Sequence, residues 1–387
     1  MSNRTNRLSA TCILPITCIL VTVGILVAGL WPFNPFPKNE VTWLPAGKGL
    51  EFGDHGIIFG SGLLRSVQPH GNSFCSLEIR LQPKFGYVNN SATLLVFYTP
   101  ENPLQFRLMQ YRDELLARRD YRGDKNQVKT VEIELEHVFT RDEPVSFTIT
   151  SGPDGSVAYR NGVWAGASNR MGLSCTDFSG HLVIGDSPVS DNPWQGKLLG
   201  LAIYNWELTP KEVSRNYAKL NTNPVPQESA DHERMIARYS FAEGSGNIIH
   251  NSGGSAPDLY IPDNFQILHK QFLMPPWEET QDKIDVWDIA LNIAGFVPFG
   301  FLFFAYLSGH RQWNRAAILT ILAGASISLT IEILQGFIPS RSSGVTDIIT
   351  NTLGTCLGVV LFRWRPIQAL ATKLRVLRLP IEQGRQD

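Results

Sequence analysis

The pattern of apolar and polar positions along this chain changes period twice. Residues 1–11 are polar, with Arg4 and Arg7, and Cys12 to Trp31 is a continuous apolar run. From Val41 to about Asn221 the period becomes two. Cys75, Leu77, Ile79 and Leu81 alternate with Ser76, Glu78 and Arg80. Val131, Ile133 and Leu135 alternate with glutamates, and Val145, Phe147 and Ile149 alternate with serine and threonine. Such alternation predicts strands with one face buried. Ala92 to Tyr98 is an apolar run that predicts a strand covered on both faces.

Turn chemistry divides these strands. Asn161-Gly162, between Val157-Ala158-Tyr159 and Val163-Trp164, predicts a hairpin whose two central residues need positive φ. Many short strands separated by Gly, Pro and Asp turns predict a two-sheet sandwich. One helix is marked inside it. Thr209-Pro210-Lys211-Glu212 reads as a capping box with proline at the first helical position, and Leu208 with Val213 as its hydrophobic staple. Asn221 to His232 reads as a linker. Residues 233–262 alternate again and are expected to close the sandwich. Phe265 to Asp285, with Pro275-Pro276-Trp277 and Glu278, Glu279, Asp282 and Asp285, reads as the approach to a membrane.

The third regime is helical and apolar. Val286 to Leu307, Ala316 to Ile338 and Val345 to Phe362 are each long enough, at about 27 to 35 Å, to cross a bilayer. Each carries a polar pair on one helical face: Asp288 with Asn292, Glu332 with Gln335, and Asp347 with Asn351. Ionisable groups inside a membrane are costly and normally face the bundle interior. Arg4, Arg7, Arg311, Arg315 and the basic tail beyond Phe362 are all cytoplasmic if the chain crosses four times with both termini inside. Asn292, Glu332 and Asn351 then each lie six residues, roughly 9 Å, below the outer boundary. Arg341, in the short outer loop, is placed to reach them. The tail from Pro366 to Leu379 is expected on the cytoplasmic membrane surface, with Ile367, Leu370, Leu374 and Leu377 at helical spacing.

Composition changes this picture little. A net charge of −1 and the lack of a basic block give no sign of a nucleic-acid partner. Cys75 and Cys175 fall in the polar middle, where a disulfide and a pair of buried thiols are both open. No CxxC or His-rich metal signature occurs, and no cofactor is expected. Asp154, Asp177, Asp186 and Asp191 read as turn residues before calcium ligands.

Two resemblances follow from the residues. Phe74 to Pro83, HLVIGD at 181–186, and WQGKLLGLAIYNWELTPKEVSRNY at 194–217 resemble the concanavalin A-like, laminin-G-type jelly rolls. Asp288 with NIAGFVPFG at 292–300, Glu332-Ile333-Leu334-Gln335 with Pro339 and Arg341, and Asp347 with Asn351-Thr352-Leu353-Gly354 resemble the VanZ-like membrane family, named for an accessory protein linked to glycopeptide resistance. Gly295, Gly300, Gly354 and Gly358 are expected to permit close helix approach.

The expected architecture is multidomain: an all-β jelly-roll sandwich outside the membrane and an α-helical transmembrane bundle of four spans. Its divisions are a cytoplasmic N-terminus at 1–11, an anchor helix at 12–31, the jelly roll at 41–262, a juxtamembrane linker at 263–285, the three-helix core at 286–362, and a basic cytoplasmic tail at 363–387. Residues 32–285 are expected on the outer side of a bacterial cytoplasmic membrane. The candidate polar site is Asp288, Asn292, Glu332, Gln335, Arg341, Asp347 and Asn351. It reads as helix glue, as a binding site for a polar head group or lipid-linked saccharide, as an acid–base pair of Glu332 with Asp288 or Asp347, or as an ion or proton path. The expected partners are membrane lipids and an envelope glycan or protein held by the jelly roll. The function expected is accessory or sensing. The alternatives are an enzyme acting on a lipid-linked saccharide and a structural scaffold.

Overall fold

The structure is a computed structural model that describes residues 2–65, 74–84, 91–123, 127–220, 235–276 and 286–364. The expected linker at 221–232, the approach from Trp277 to Asp285, and the tail beyond Trp364 lie outside the described residues. The chain divides into two compact units: residues 36–270, and residues 1–35 with 271–387.

The first unit is a sandwich of two antiparallel sheets. One sheet has the order β1 (Val41–Trp43), β2 (Leu50–Phe52), β13 (Gly196–Tyr204), β4 (Ser76–Pro83), β9 (Val145–Gly152), β10 (Gly155–Arg160) and β11 (Val163–Ser168), with β14 (Met235–Tyr239) also paired to β13. The other runs β15 (Ile248–Ile249), β16 (Leu259–Tyr260), β3 (Ile58–Gly60), β12 (His181–Ile184), β5 (Ser91–Thr99), β6 (Asn102–Tyr111), β7 (Glu114–Arg122) and β8 (Val128–Leu135). The alternating residues Cys75, Leu77, Ile79, Leu81, Phe147 and Ile149 fill the core between them, beside Phe97, Phe106 and Trp194.

The local signals work as read. Asn161 (φ 52°) and Gly162 (φ 78°) join β10 to β11. Thr209 and Glu212 exchange capping hydrogen bonds at the start of helix α2 (Pro210–Leu220), and Leu208 and Val213 are buried together. Cys75 and Cys175 are joined in a disulfide. Asp177 caps the Ser174 N–H and pairs with Arg119 at 2.7 Å, while Asp186 accepts the N–H groups of Ser187 and Asn192. No group of three or more metal-ligating side chains occurs among the described residues.

Two expectations shift. The polar face of β4 is buried as well as its apolar face. Ser76 receives the Leu208 N–H, and Glu78 is capped by the Tyr204 hydroxyl at 2.9 Å and by Asn216 of α2. Strand β5 is covered on both faces, as its sequence predicts, and the cover comes from the start of the expected linker. Phe265 and Ile267 pack on Val96 and Tyr98, Phe265 N–H bonds Pro37 O, and His269 N–H bonds Pro188 O. Residues 263–270 therefore belong to the sandwich.

The second unit is helical: α1 (Ser2–Leu30), α3 (Val286–Ser308), α4 (Trp313–Gln335) and α5 (Val345–Arg363). All four are long and apolar enough to cross a membrane. Their polarity is inside out. Ile318, Leu322, Leu353, Leu357 and Val360 are exposed, whereas Thr320, Ser328, Glu332, Asn351 and Thr355 are buried. Water would reverse that distribution, and hydrocarbon accounts for it. The chain is a membrane protein.

Glycine sets the helix contact. A Cβ on Gly300 would strike the Thr355 carbonyl, one on Gly354 the Ile293 carbonyl, and one on Gly358 the Val297 carbonyl. Helices α3 and α5 thus meet backbone to backbone. Gly295 is different, with no atom within 4 Å of where its Cβ would stand. Its expected packing role is not met.

Helix α4 also lies one turn earlier than expected, ending at Gln335 where Ile338 was predicted. Pro339 explains the early stop, because the residue before proline avoids helical φ and ψ. Residues 336–338 instead bond back in tight turns to Glu332, Leu334 and Gln335.

Candidate functional site

The early end of α4 puts Glu332 in the last helical turn, with the loop 336–344 folded back over it. The Glu332 carboxylate accepts the Gly344 N–H at 2.8 Å, and its backbone carbonyl accepts the Ser343 hydroxyl at 2.8 Å. The segment leading into α3 is stitched to the same loop. Met274 N–H bonds Ser343 O, Val345 N–H bonds Met274 O, and Leu273 N–H bonds Ser343 Oγ. Glu332 is 1% exposed, so its hydrogen bonds decide whether it is tolerated there.

Below this loop lies a cavity of about 590 Å³. Asp288, Asn292, Glu332, Gln335, Arg341, Asp347 and Asn351 all line it, so the structure brings the seven sequence-derived residues to one place. Asn292 Nδ2 donates to Asp347 Oδ1 at 2.7 Å, linking α3 to α5. Asn351 Nδ2 donates to Ser328 Oγ at 2.9 Å, linking α5 to α4. Gln335 Nε2 donates to the Gly29 carbonyl at 2.7 Å, linking α4 to α1. Arg341 does not bond Glu332. Its side chain lines the cavity and makes no hydrogen bond or ion pair among the described residues.

Several cavity residues carry no sequence signal of their own. Gly29, Met274, Ser343 and Gly344 supply backbone groups or small side chains, and Gly295 leaves open wall. Ile25, Ala28, Ile289, Leu291, Phe296 and Ile331 make the apolar part of the lining. Three carboxylates against one guanidinium give the site an acidic balance with a single cationic point. No His or Cys lines it among the described residues.

The sandwich has a groove of its own, about 540 Å³, at the edge where β8 and β11 face each other. Glu134, Glu136, Arg160, Val163 and Trp164 line it, and Trp164 is 63% exposed. The carboxyl of Glu134 is held above its ordinary value, by desolvation first and then by neighbouring glutamates, of which Glu114 contributes most.

Comparison with known families gives two matches. Residues 233–366 match the VanZ/LLP1 family, and residues 90–214 match the concanavalin A-like lectin/glucanases superfamily. The chain thus joins a VanZ-like region to a concanavalin A-like domain. The first match begins at 233, although residues 235–262 are built into the sandwich. Comparison with curated proteins gives no match.

Among solved structures, a heptameric SAP-like pentraxin from Limulus polyphemus is 17% identical over 60% of this chain and 94% of that one, with a TM-score of 0.33. A putative carbohydrate binding protein from Bacteroides ovatus is 16% identical over 54% and 59%, also at 0.33. A Ruminococcus gnavus IT-sialidase CBM40 bound to sialyllactose is 14% identical over 44% and 96%, at 0.31. The chain also spans about half the length of botulinum neurotoxin binding domains that it matches.

Proposed function

We propose that this chain is an accessory or sensing protein of the bacterial cell envelope. Its membrane cavity takes the polar part of a membrane-embedded molecule, and its sandwich holds an envelope glycan or protein. The observation that carries the reading is the convergence of three helices and one loop on a single polar cavity inside an apolar bundle. Interhelical pairing uses the amides of Asn292, Asn351 and Gln335, but it leaves a cavity of about 590 Å³ between the helices and the Arg341 side chain without a partner among the described residues.

Binding is favoured over turnover. The Glu332 carboxylate is engaged by a backbone N–H, Asp347 is engaged by Asn292, and among the described residues the cavity brings no His or Cys to a candidate nucleophile. For the sandwich, the support is the edge groove, where the flat face of Trp164 stands beside carboxylates and a guanidinium. Such a mixture suits a ligand with both apolar faces and hydroxyls. We place residues 32–285 outside and both termini in the cytoplasm. The disulfide supports this arrangement, because such bonds persist in oxidising compartments.

The test is a cellular phenotype such as glycopeptide sensitivity, compared in Glu332→Gln, Glu332→Ala and Arg341→Ala cells at matched protein levels. The reading expects Arg341→Ala and Glu332→Ala to lose function while the protein still accumulates in the membrane. Full function in both would leave the helical unit as a scaffold.

A further inference from the structure

Two groups in the membrane cavity await a partner, and they differ in kind. Asn351 is 5% exposed, and its Oδ1 meets no donor even though its Nδ2 is used by Ser328. Arg341 is only partly buried, and its guanidinium is unpaired among the described residues. One group calls for a hydrogen-bond donor and the other for an anion.

Resting on the reading that this cavity takes the polar part of a membrane molecule, we propose that its ligand is a phospholipid head group. Its phosphodiester sits on Arg341, and a hydroxyl beyond the phosphate donates to Asn351 Oδ1. The guanidinium fork matches two phosphate oxygens, and such charge-assisted pairs are the strong ones. A single guanidinium in the lining suits a monoanionic diester over a phosphate monoester or a free polyanion. From Val345, beside the loop that carries Arg341, to Asn351 is roughly 9 Å of helical rise, a distance a phosphate and a short polyol can bridge. The apolar wall of Ile25, Ile289, Leu291 and Phe296 favours a lipid-borne phosphate over a soluble one, since acyl chains can lie against it.

The experiment is native mass spectrometry of the full chain in detergent. It is presented with an equal mixture of phosphatidylglycerol, phosphatidylcholine and a diglucosyl diacylglycerol. These carry a phosphodiester with hydroxyls, a phosphodiester without donors, and hydroxyls without phosphate. Retention of phosphatidylglycerol about tenfold above the glycolipid is expected from the charge-assisted contact with Arg341, and several-fold above phosphatidylcholine from the hydrogen bond to Asn351. Arg341→Ala should reduce it to the level of the glycolipid, and excess inorganic phosphate should not displace it. Gly295→Phe should empty the cavity of all three lipids, and Ile318→Ala on the apolar exterior should change nothing.

Equal retention of phosphatidylglycerol and phosphatidylcholine would overturn the donor assignment. Equal retention of phosphatidylglycerol and the glycolipid, or indifference to Arg341→Ala, would overturn the phosphate assignment. Either result stands apart from the cavity reading so long as Gly295→Phe still empties the site. Displacement by inorganic phosphate would overturn the lipid source. Unchanged retention in Gly295→Phe would overturn the cavity reading itself. If Gly295→Phe does not accumulate, Leu291→Trp on the exposed cavity wall takes its place.

Discussion

The carboxylate of Glu332 accepts the backbone N–H of Gly344 at 2.8 Å, across the loop that closes the end of α4. The bond joins two stretches twelve residues apart and fixes the roof of the cavity. Glu332→Gln retains an oxygen acceptor and should fold normally. Glu332→Ala leaves a buried N–H without a partner, at a cost of about 1–3 kcal/mol. Thermal unfolding of the purified chain in detergent measures the difference. An Glu332→Ala midpoint equal to the wild type would show that the bond contributes nothing.

The helix seam gives a sharper contrast between glycines. Gly354→Leu drives a side chain into the Ile293 carbonyl and should destabilise by about 1–3 kcal/mol or more through overpacking. Gly295→Ala meets open space and should leave the unfolding midpoint unchanged. Similar losses from both substitutions would contradict the different roles assigned to the two positions.

The disulfide between Cys75 and Cys175 closes a sequence separation of 100 residues. On the chain-entropy account a loop of that size contributes about 4.7 kcal/mol, and removal of a native bridge commonly costs about 2–5 kcal/mol. The double variant Cys75→Ser, Cys175→Ser should therefore unfold markedly earlier in urea. The wild type under reducing conditions should behave the same way.

Asp186 gives the sandwich a pH dependence of known sign. Burial holds its carboxyl well above the ordinary aspartate range, outweighing the two N–H groups that it accepts from Ser187 and Asn192. A raised folded-state value means that the contribution to stability is full below about pH 4 and is lost as pH rises through the raised value. Burial raises Glu78 in the same direction. Asp186→Asn keeps an oxygen for both N–H groups and should flatten the fall in unfolding midpoint with rising pH. Tryptophan fluorescence follows it through the buried Trp194. An unchanged pH slope would remove Asp186 from the account.

The polar site was legible because counting from the span ends puts Asn292 and Asn351 at one depth, although Glu332 lies three residues from the end of α4 where six were counted. Asn292 and Asn351 stand six residues into their helices, and the EILQ and RSSG stretches flank one tight loop. The partners were not legible. Ser328, Ser343, Gly344 and the Gly29 carbonyl act through backbone groups or small hydroxyls, and these acquire meaning only when tertiary packing brings them to Glu332, Gln335 and Asn351. Gly295 and Gly300 look alike in the sequence, yet one faces the cavity and the other faces Thr355. In the sandwich, the apolar run of β5 announced that something covers its outer face. It could not say that Phe265 and Ile267 do so, because that strap has no periodicity of its own.

Topology is tested by labelling from outside intact cells. A cysteine at the exposed His310 should stay unlabelled until the membrane is opened, because the account puts that loop in the cytoplasm. Labelling of the intact cell at this position would reverse the assignment of sides.

The central claim is that the membrane cavity is occupied by a membrane molecule, and photo-crosslinking from its wall tests that most directly. A benzoylphenylalanine is placed at Ile289, which lines the cavity, and another at Ile318, which is 59% exposed on the apolar exterior. After irradiation in native membranes, adduct masses are read on the full chain. The account predicts one lipid class at Ile289, enriched over the bulk lipids captured at Ile318, with the enrichment lost in Arg341→Ala. The same adduct distribution at both positions, or no lipid at Ile289, would contradict it.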